Sequence, residues 1–262
     1  MYLSLVVLAI AATMCKPTDD KPDPDPNKKK DSIVTKKEAI WENQDSLDSL
    51  FTAAMLTARN PTPARVSNNL TPIVGNNTLI DTMINAERYI KMVSWKSNPS
   101  YFPDSGVYNT QSYDIWVTAA PFIQDSCKHY FKTLKNPELR LRQLLGLQPT
   151  TPETFFLEVW VKPSDLFRPC PDNETDDTTC GLELPATVKS DYRKWFNDLR
   201  SVQYTDCTDT LYHEYGYPWT QLGYTYDWSE DNPSHQGLSE FVITRMTDIY
   251  ISGKYQTANY CK

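Results

Sequence analysis

The densest run of aromatic side chains lies at residues 216–228, and its spacing is that of a binding face. Alternate side chains on a strand share one face of the sheet. The aromatic row formed in this way consists of Tyr224, Tyr226 and Trp228, and Trp219 lies nearby and is counted with it. Tyr and Trp combine a broad apolar face with a polar tip, so the row would stack on sugar rings while the Asp227 carboxylate bonds sugar hydroxyls. The pattern predicts either a glycan-binding surface or core packing.

Glu240 is the acidic residue of a mainly apolar run at residues 238–243. A carboxyl group among apolar strand residues either faces solvent or has a functional reason to be buried. This run, together with residues 248–252, resembles the closing strands of ADP-ribosyltransferase-fold toxins. The resemblance implies that Glu240 orients the nicotinamide ribose of NAD and that Arg88 is the nearest match to the arginine of that fold, although the Ser-Thr-Ser strand is missing. Glu240 is therefore a candidate catalytic residue, and the alternative is a glutamate on a sheet face or edge.

Three carboxylates alternate inside the segment that two cysteines bracket: Asp172, Glu174 and Asp176. Alternating carboxylates direct their oxygens at one hard cation in calcium loops. Asp177, however, stands where an EF-hand loop has its glycine. The segment predicts either a Ca²⁺ site or a solvated acidic turn, and no other cofactor is expected.

Arg168 lies between Phe167 and Pro169, on a constrained loop. A guanidinium held in this way can clamp the carboxylate or phosphate of a ligand. It can also tie its own loop to the acidic turn at residues 172–177, and we favour that interpretation.

The common catalytic motifs are absent from the sequence. The three histidines are His129, His213 and His235, and none belongs to an HExxH motif. The sequence contains neither GxSxG nor GxxxxGK[ST], so zinc hydrolysis, α/β-hydrolase chemistry and P-loop chemistry are not supported.

Six cysteines are present, and Cys170 and Cys180 form the best local pair because they bracket a polar loop. Closing that loop would stabilise the fold by about 3 kcal/mol in the chain-entropy model. Cys127, Cys207 and Cys261 allow one further disulfide with one thiol left over, and spacing does not decide which. No CxxC occurs, so zinc and thioredoxin-type sites are not expected.

The elements predicted to position these residues include both helices and strands. Helical periodicity predicts helices at residues 36–59, 121–130, 138–147 and 191–199, with a short helical piece at 79–86. Alternating or continuous apolar runs predict strands at 89–95, 113–119, 154–161, 219–228, 238–244 and 248–252, and residues 97–110 and 163–185 are expected to be long loops. The order predicts an α+β fold with a mixed or mainly antiparallel sheet, an N-terminal amphipathic helix and several packed helices.

The first 32 residues indicate where in the cell the protein is located and suggest no catalytic chemistry. The apolar run at residues 3–12 would span only about 15 Å as a helix, too short to cross a bilayer. It ends just before Cys15, which a Pro/Asp-rich tract follows. This order resembles a bacterial lipoprotein, and Asp19 and Asp20 resemble the surface-export signal of Bacteroidota lipoproteins. The resemblance implies a signal peptide at 1–14, a lipidated Cys15 with a tether at 15–32, and one extracytoplasmic domain at 33–262; the alternative is an ordinary secretory signal.

Charge and composition limit the partners. The formal net charge of the 262 residues is −7, which argues against nucleic-acid binding because that needs a basic face. The sequence therefore predicts an exported protein, lipid-anchored to the outer membrane or cell surface, that binds a glycan or an envelope partner through an aromatic and acidic surface. The alternatives are an enzyme, either a carboxylate-dependent glycan-active one or an NAD-consuming one that uses Glu240, and a structural envelope protein.

Overall fold

A large antiparallel sheet is the central feature of the computed structural model, which describes residue 41, residues 43–204 and residues 216–262. Its seven-strand path runs β3-β10-β5-β2-β4-β9-β6, and β1 pairs with β2 beside this path. The strands are β1 Asp81–Ile84, β2 Glu87–Lys96, β3 Gly106–Asn109, β4 Ile115–Ala119, β5 Phe155–Val161, β6 Leu166–Phe167, β7 Tyr224–Tyr226, β8 Gln236–Ser239, β9 Phe241–Ile243 and β10 Asp248–Gln256. Strands β7 and β8 form a separate antiparallel pair.

Several predictions concern residues outside this description. They are the signal peptide and tether, Cys15, the start of the N-terminal helix, Cys207 and His213.

Strand β5 lies between β10 and β2, as its apolar residues on both faces predict. The side chains of Phe155, Leu157 and Val159 belong to the main core. Phe156 points to the other face and packs in a second cluster with Trp95 and Ile123. The prediction of a buried central strand here is confirmed.

The described helices are α1 Gln44–Ala58, α2 Phe122–Thr133, α3 Pro137–Leu144, α4 Ser190–Val202 and α5 Thr257–Tyr260. Helix α1 begins at Asn43, whose side chain accepts a hydrogen bond from the Ser46 backbone N–H, a common N-cap arrangement. Its buried face consists of Leu47, Phe51, Ala54, Met55 and Ala58. None of the helices in the described part of the chain is long and apolar enough to cross a membrane. The coarse α+β prediction is therefore confirmed.

Three local predictions were wrong. Residues 79–86 contain β1 rather than a helical piece, and the turn to β2 uses Asn85 and Ala86 with φ of 51° and 64°, the positive values that a tight two-residue hairpin needs. The loop predicted at 97–110 contains β3. Of the strand predicted at 219–228, only Tyr224–Tyr226 forms a strand, which is β7. Positive φ values at Gln221 and Gly223 turn the chain just before Tyr224.

Two disulfides join distant and local parts of the chain. Cys170 bonds Cys180, as predicted. Cys127 of α2 bonds Cys261, which resolves the choice that spacing left open. Disulfides persist in oxidising compartments, so both bonds are compatible with an exported protein.

Candidate functional site: a cavity beside Glu240

The candidate site is a cavity at the point where β2 and β4 separate. These strands pair only at Met92–Ala119 and Val93–Thr118. Beyond that point β2 continues beside β5 and β4 beside β9. The Ser94 hydroxyl donates a hydrogen bond to the Trp116 carbonyl oxygen, at 2.8 Å, and bridges the gap. A cavity of about 450 Å³ opens there.

The walls of this cavity are mainly aromatic and aliphatic. The aromatic residues that line it are Trp95, Trp116, Tyr217, Trp219 and Tyr226. The rings of Trp116 and Trp219 meet edge to face with centroids 6.3 Å apart. The indole N–H of Trp219 donates to the Pro169 carbonyl at 3.0 Å, and that of Trp95 donates to the Thr257 hydroxyl at 2.8 Å. These two indole rings therefore have their polar atoms bonded within the protein and add apolar surface to the wall.

Glu240 lines the cavity from the break between β8 and β9. At this residue the chain leaves the small β7–β8 sheet and enters the large one, and the Glu240 backbone N–H donates to the Gly223 carbonyl at 3.0 Å. The side-chain carboxyl forms no hydrogen bond or ion pair with any residue that the structure describes. Burial raises the pKa of Glu240 to about 8, because a charge in apolar surroundings loses its hydration. The group is consequently mostly protonated at neutral pH.

A second polar group of the cavity consists of Lys96 and Glu153. Lys96 ends β2, and its carbonyl accepts a hydrogen bond from the Thr154 backbone N–H at 2.9 Å, which brings the neighbouring Glu153 close. Burial lowers the pKa of the Lys96 ammonium, and the nearby Glu153 carboxylate opposes that effect. The hydroxyl of Thr118, which also lines the cavity, has no hydrogen-bond partner among the described residues.

The structure brings three of the sequence-predicted residues to this cavity: Glu240, Trp219 and Tyr226. The aromatic row itself is buried rather than exposed, since Trp219, Tyr224, Tyr226 and Trp228 are each at most 5% exposed. The Tyr224 hydroxyl donates to the Arg65 carbonyl at 2.8 Å, and the Trp228 indole N–H donates to the Leu147 carbonyl at 2.9 Å. The core-packing alternative therefore describes this row, and the predicted aromatic and acidic surface is not formed by it.

Asp227 lies outside the cavity lining and holds a buried ion pair. Both its carboxylate oxygens bond the Arg140 guanidinium, at 3.0 and 2.6 Å. They also accept from the Ser229 backbone N–H and the Asn232 side-chain amide. With these donors around it, Asp227 fixes the turn after β7, and its side chain is engaged by the protein.

Arg168 ties its own loop to the acidic turn, which is the interpretation favoured above. Its guanidinium is fully buried. It donates to the Asp177 carboxylate at 2.5 Å and to the Thr179 carbonyl at 2.9 Å. The same group reaches the Thr71 carbonyl at 3.3 Å, so Arg168 connects three segments of the chain.

The carboxylates of the predicted calcium loop do not converge. Glu174 and Asp176 are exposed, whereas the Asp172 carboxylate turns inward and accepts from the Gly181 backbone N–H at 2.8 Å. The potential ligand group that includes Asp172 contains Cys170 and Cys180 instead, and these two sulfurs form the disulfide. Within the described residues the trio Asp172, Glu174 and Asp176 therefore forms no shared oxygen site.

Sequence reasoning missed Lys96, Glu153, Thr118 and Trp116. No local pattern marks them, because strands β2 and β4 and the residue preceding β5 are brought together only by sheet pairing. Arg88, the arginine considered for an NAD site, pairs with Asp81 at 2.5 Å and is not among the residues that line the cavity.

Comparison of the chain with family models, with curated proteins and with solved structures finds no match.

Proposed function

We propose that this chain is an exported binding protein that holds a small saccharide in the cavity beside Glu240. The observation that carries the proposal is a carboxyl group without a partner among the described residues, in a cavity with tryptophan walls. The proposed ligand is still a glycan, as the aromatic row predicted. The proposed binding site, however, is the cavity and not an aromatic surface.

The dimensions and lining of the cavity support a small organic ligand. Ligand pockets typically measure about 300–1,000 Å³ and combine apolar walls with a few polar groups. The volume of about 450 Å³ falls in that range. Trp116 and Trp219 supply ring surfaces on which the apolar face of a sugar can pack. A protonated Glu240 can both donate and accept a hydrogen bond, as sugar hydroxyls require.

Titration of the full chain with a panel of mono- and disaccharides tests this function. A ligand present at a hundred times its dissociation constant stabilises the folded state by about 2.7 kcal/mol, so a true ligand raises the melting temperature. It also changes the tryptophan fluorescence, because Trp116 and Trp219 line the cavity.

A matched pair of variants locates the binding. Trp116→Leu removes a cavity ring and should weaken binding at least tenfold. Trp160→Leu removes a ring on β5 that is not among the cavity-lining residues and should leave the affinity within about twofold. Thermal melts of both variants verify that they fold. Equal loss of affinity in both variants, or no response to any sugar, contradicts the proposal.

A second candidate function is glycan cleavage. Two carboxyl groups of the cavity, Glu240 and Glu153, favour it, since glycosidases use a pair of carboxyl groups of which one has a raised pKa and acts as the acid. Assays of chromogenic glycosides with the wild-type chain and with Glu240→Gln test this activity. Turnover that survives in Glu240→Gln rules out Glu240 as the acid.

We also propose that Cys15 carries a lipid that anchors the protein to the outer membrane or cell surface. The support is the order of signal-like run, cysteine and Pro/Asp-rich tract, together with two disulfides of the kind that exported proteins form. Labelling cells with a fatty-acid analogue should mark the wild type and not Cys15→Ser. Equal labelling of both proteins excludes lipidation at this residue.

A further inference from the structure

We propose that the ligand of this cavity carries a basic nitrogen, so that an amino sugar rather than a neutral sugar is bound, with its ammonium group against the Glu240 carboxyl. This inference rests on the proposed function and adds the charge of the ligand to it. It follows from the surroundings of Glu240, where no described cation lies beside the carboxyl group.

Three acids elsewhere in the fold have a cation as their partner. Asp227 is held by Arg140 at 2.6 Å, and Glu158 is held by Lys91 at 3.1 Å. Asp177 binds Arg168 at 2.5 Å. Glu153, the second acid of the cavity, is near enough to the Lys96 ammonium to raise the pKa of that group, although the Glu153 Oε2 atom has no hydrogen-bond partner among the described residues. Of the described acids that line the cavity, Glu240 alone has no cation beside it.

Among the described residues that line the cavity, Lys96 is the one cation. Strand β4 contributes Trp116, Val117 and Thr118 to the cavity, and none of them is ionisable. Tyr217 and Tyr226 contribute phenols. Lys96, on β2, is in the same cavity. The charge that affects its pKa is that of Glu153, whereas only burial shifts the pKa of Glu240.

Tyr204 lies near Glu240 and also near two cations, the guanidinium groups of Arg200 and Arg59. Its hydroxyl donates to the Trp219 carbonyl at 2.5 Å and accepts from the Gln221 side-chain amide at 2.9 Å. Burial raises the pKa of Tyr204 above its usual value, so this phenol keeps its proton. The described residues thus place no cation beside the Glu240 carboxyl, and the inferred source of a cation is a ligand.

The walls of the cavity suit a cationic group. A cation is attracted to the electron-rich face of Trp and Tyr rings, and Trp116, Trp219 and Tyr226 line the same cavity as Glu240. An ammonium group that donates to a carboxylate forms one of the strong, charge-assisted hydrogen bonds. A neutral sugar would leave this interaction unused.

Binding of an ammonium group has a definite proton balance. The carboxyl group of the empty cavity is mostly protonated at neutral pH, because its pKa is about 8. Formation of the ion pair requires the carboxylate, so the Glu240 proton passes to the solvent and no covalent bond changes. Affinity for an ammonium ligand should therefore rise with pH until the pKa of the empty site is reached.

Calorimetric titration of the full chain with matched sugars tests the inference. The probes are glucosamine and galactosamine, with glucose, galactose and the two N-acetylated amino sugars as neutral counterparts. We expect the amino sugars to bind at least tenfold more tightly than the neutral sugars at pH 7. Their affinity should increase roughly five- to tenfold from pH 6 to pH 7, with proton release detected as a dependence of the heat on the buffer.

Glu240→Gln keeps the shape of the side chain and removes its charge. In this variant the preference for amino sugars and the pH dependence should both disappear, while Asp198→Asn on the exposed face of α4 should behave as the wild type. A folded Glu240→Gln that still prefers amino sugars overturns the inference. Equal binding of neutral and amino sugars overturns it too but leaves the proposed function standing, whereas binding of no sugar in the panel removes both.

Discussion

At the scale of single residues, Glu240 differs from the other inward-facing acids in how its burial is compensated. Asp227 faces a guanidinium and two further donors, whereas Glu240 faces apolar rings and no described cation. A buried carboxyl group without a partner keeps its proton, because an isolated charge is far more costly to bury than a neutral acid. Glu240 is thus a cost to folding above neutral pH, which the proposed ligand would offset.

Stability should consequently depend on pH through Glu240. An unfolded glutamate titrates near pH 4.3, while the pKa of Glu240 in the fold is about 8. Between these values the folded chain holds a proton that the unfolded chain has released, so the free energy of unfolding falls as pH rises and levels off above pH 8. In Glu240→Gln this contribution to the pH dependence of the unfolding free energy is absent. The variant should be more stable than the wild type at pH 8.5 by a few kcal/mol, with the difference falling to about 1 kcal/mol at pH 5 and vanishing below pH 4.

Urea denaturation of the two proteins at pH 5 and pH 8.5 measures this difference. The other acids are common to both proteins, so their pH-dependent contributions to the free energy of unfolding cancel in the difference. A difference in unfolding free energy that is the same at both pH values would show that Glu240 does not titrate as described.

The Arg140–Asp227 ion pair should be essential to stability. The Asp227 side chain is only 1% exposed and that of Arg140 13%, so Asp227→Ala leaves a guanidinium buried without its partner. Removing one member of a buried pair costs about 3–5 kcal/mol. Asp198→Ala, which breaks the exposed Lys194–Asp198 pair of α4, should cost less than about 1 kcal/mol. Chemical denaturation measures the free energy of unfolding of both variants. Similar losses in the two would contradict the prediction that the Arg140–Asp227 pair is essential to stability.

At the scale of elements, the cavity exists because neighbouring strands change partners. β2 leaves β4 after Val93 and continues along β5, while β4 is paired with β9. The break between β8 and β9 places Glu240 at the same point. The site is therefore held by backbone pairing on its sides, and the side chains that line it have fixed directions.

Helix α1 should contribute to stability through one face only. Phe51 is buried on that face and meets the edge of the Trp228 ring with centroids 5.9 Å apart. Phe51→Ala removes these contacts and leaves a cavity, so we expect a loss of about 3–5 kcal/mol. Leu56, on the opposite side of the same helix, is 61% exposed, and Leu56→Ala should change stability by less than about 0.5 kcal/mol. Thermal and urea denaturation distinguish the two, and equal losses would show that the helix packs differently.

The elements differ in how well the sequence predicts them. Strand β5 and helix α1 are recognisable because their apolar residues follow one clear pattern over many positions. The hairpin of β1 and β2 was missed because Ala86 adopts the positive φ that usually marks glycine or asparagine. Glu240 could be singled out, as an acid in an apolar run. Lys96, Glu153 and Trp116 could not, since only the pairing of distant strands makes them neighbours.

At the scale of the whole molecule, two disulfides close loops of very different length. Cys127 and Cys261 are 134 residues apart, and Cys170 and Cys180 only 10. The first joins α2 to the segment after α5, across the second core cluster. The second closes a local turn that Arg168 also holds.

Removal of the long-range disulfide should destabilise the protein more than removal of the local one. In the chain-entropy model a closed loop of this length contributes about 5 kcal/mol, against about 3 kcal/mol for the short loop. The double variants Cys127→Ala/Cys261→Ala and Cys170→Ala/Cys180→Ala provide the comparison by urea denaturation. The reverse order would mean that local packing, rather than loop closure, decides the contribution of these bonds.

The position of β10 in the strand order governs when the sheet can form during synthesis. β10 lies inside the sheet, between β3 and β5, although it is the last strand of the chain. Until it emerges, β5 presents an unpaired edge, and pairings between strands so distant in sequence form slowly. Completion of the sheet must therefore wait until residues 248–256 have been synthesised, so the nascent chain carries an incomplete sheet until that point.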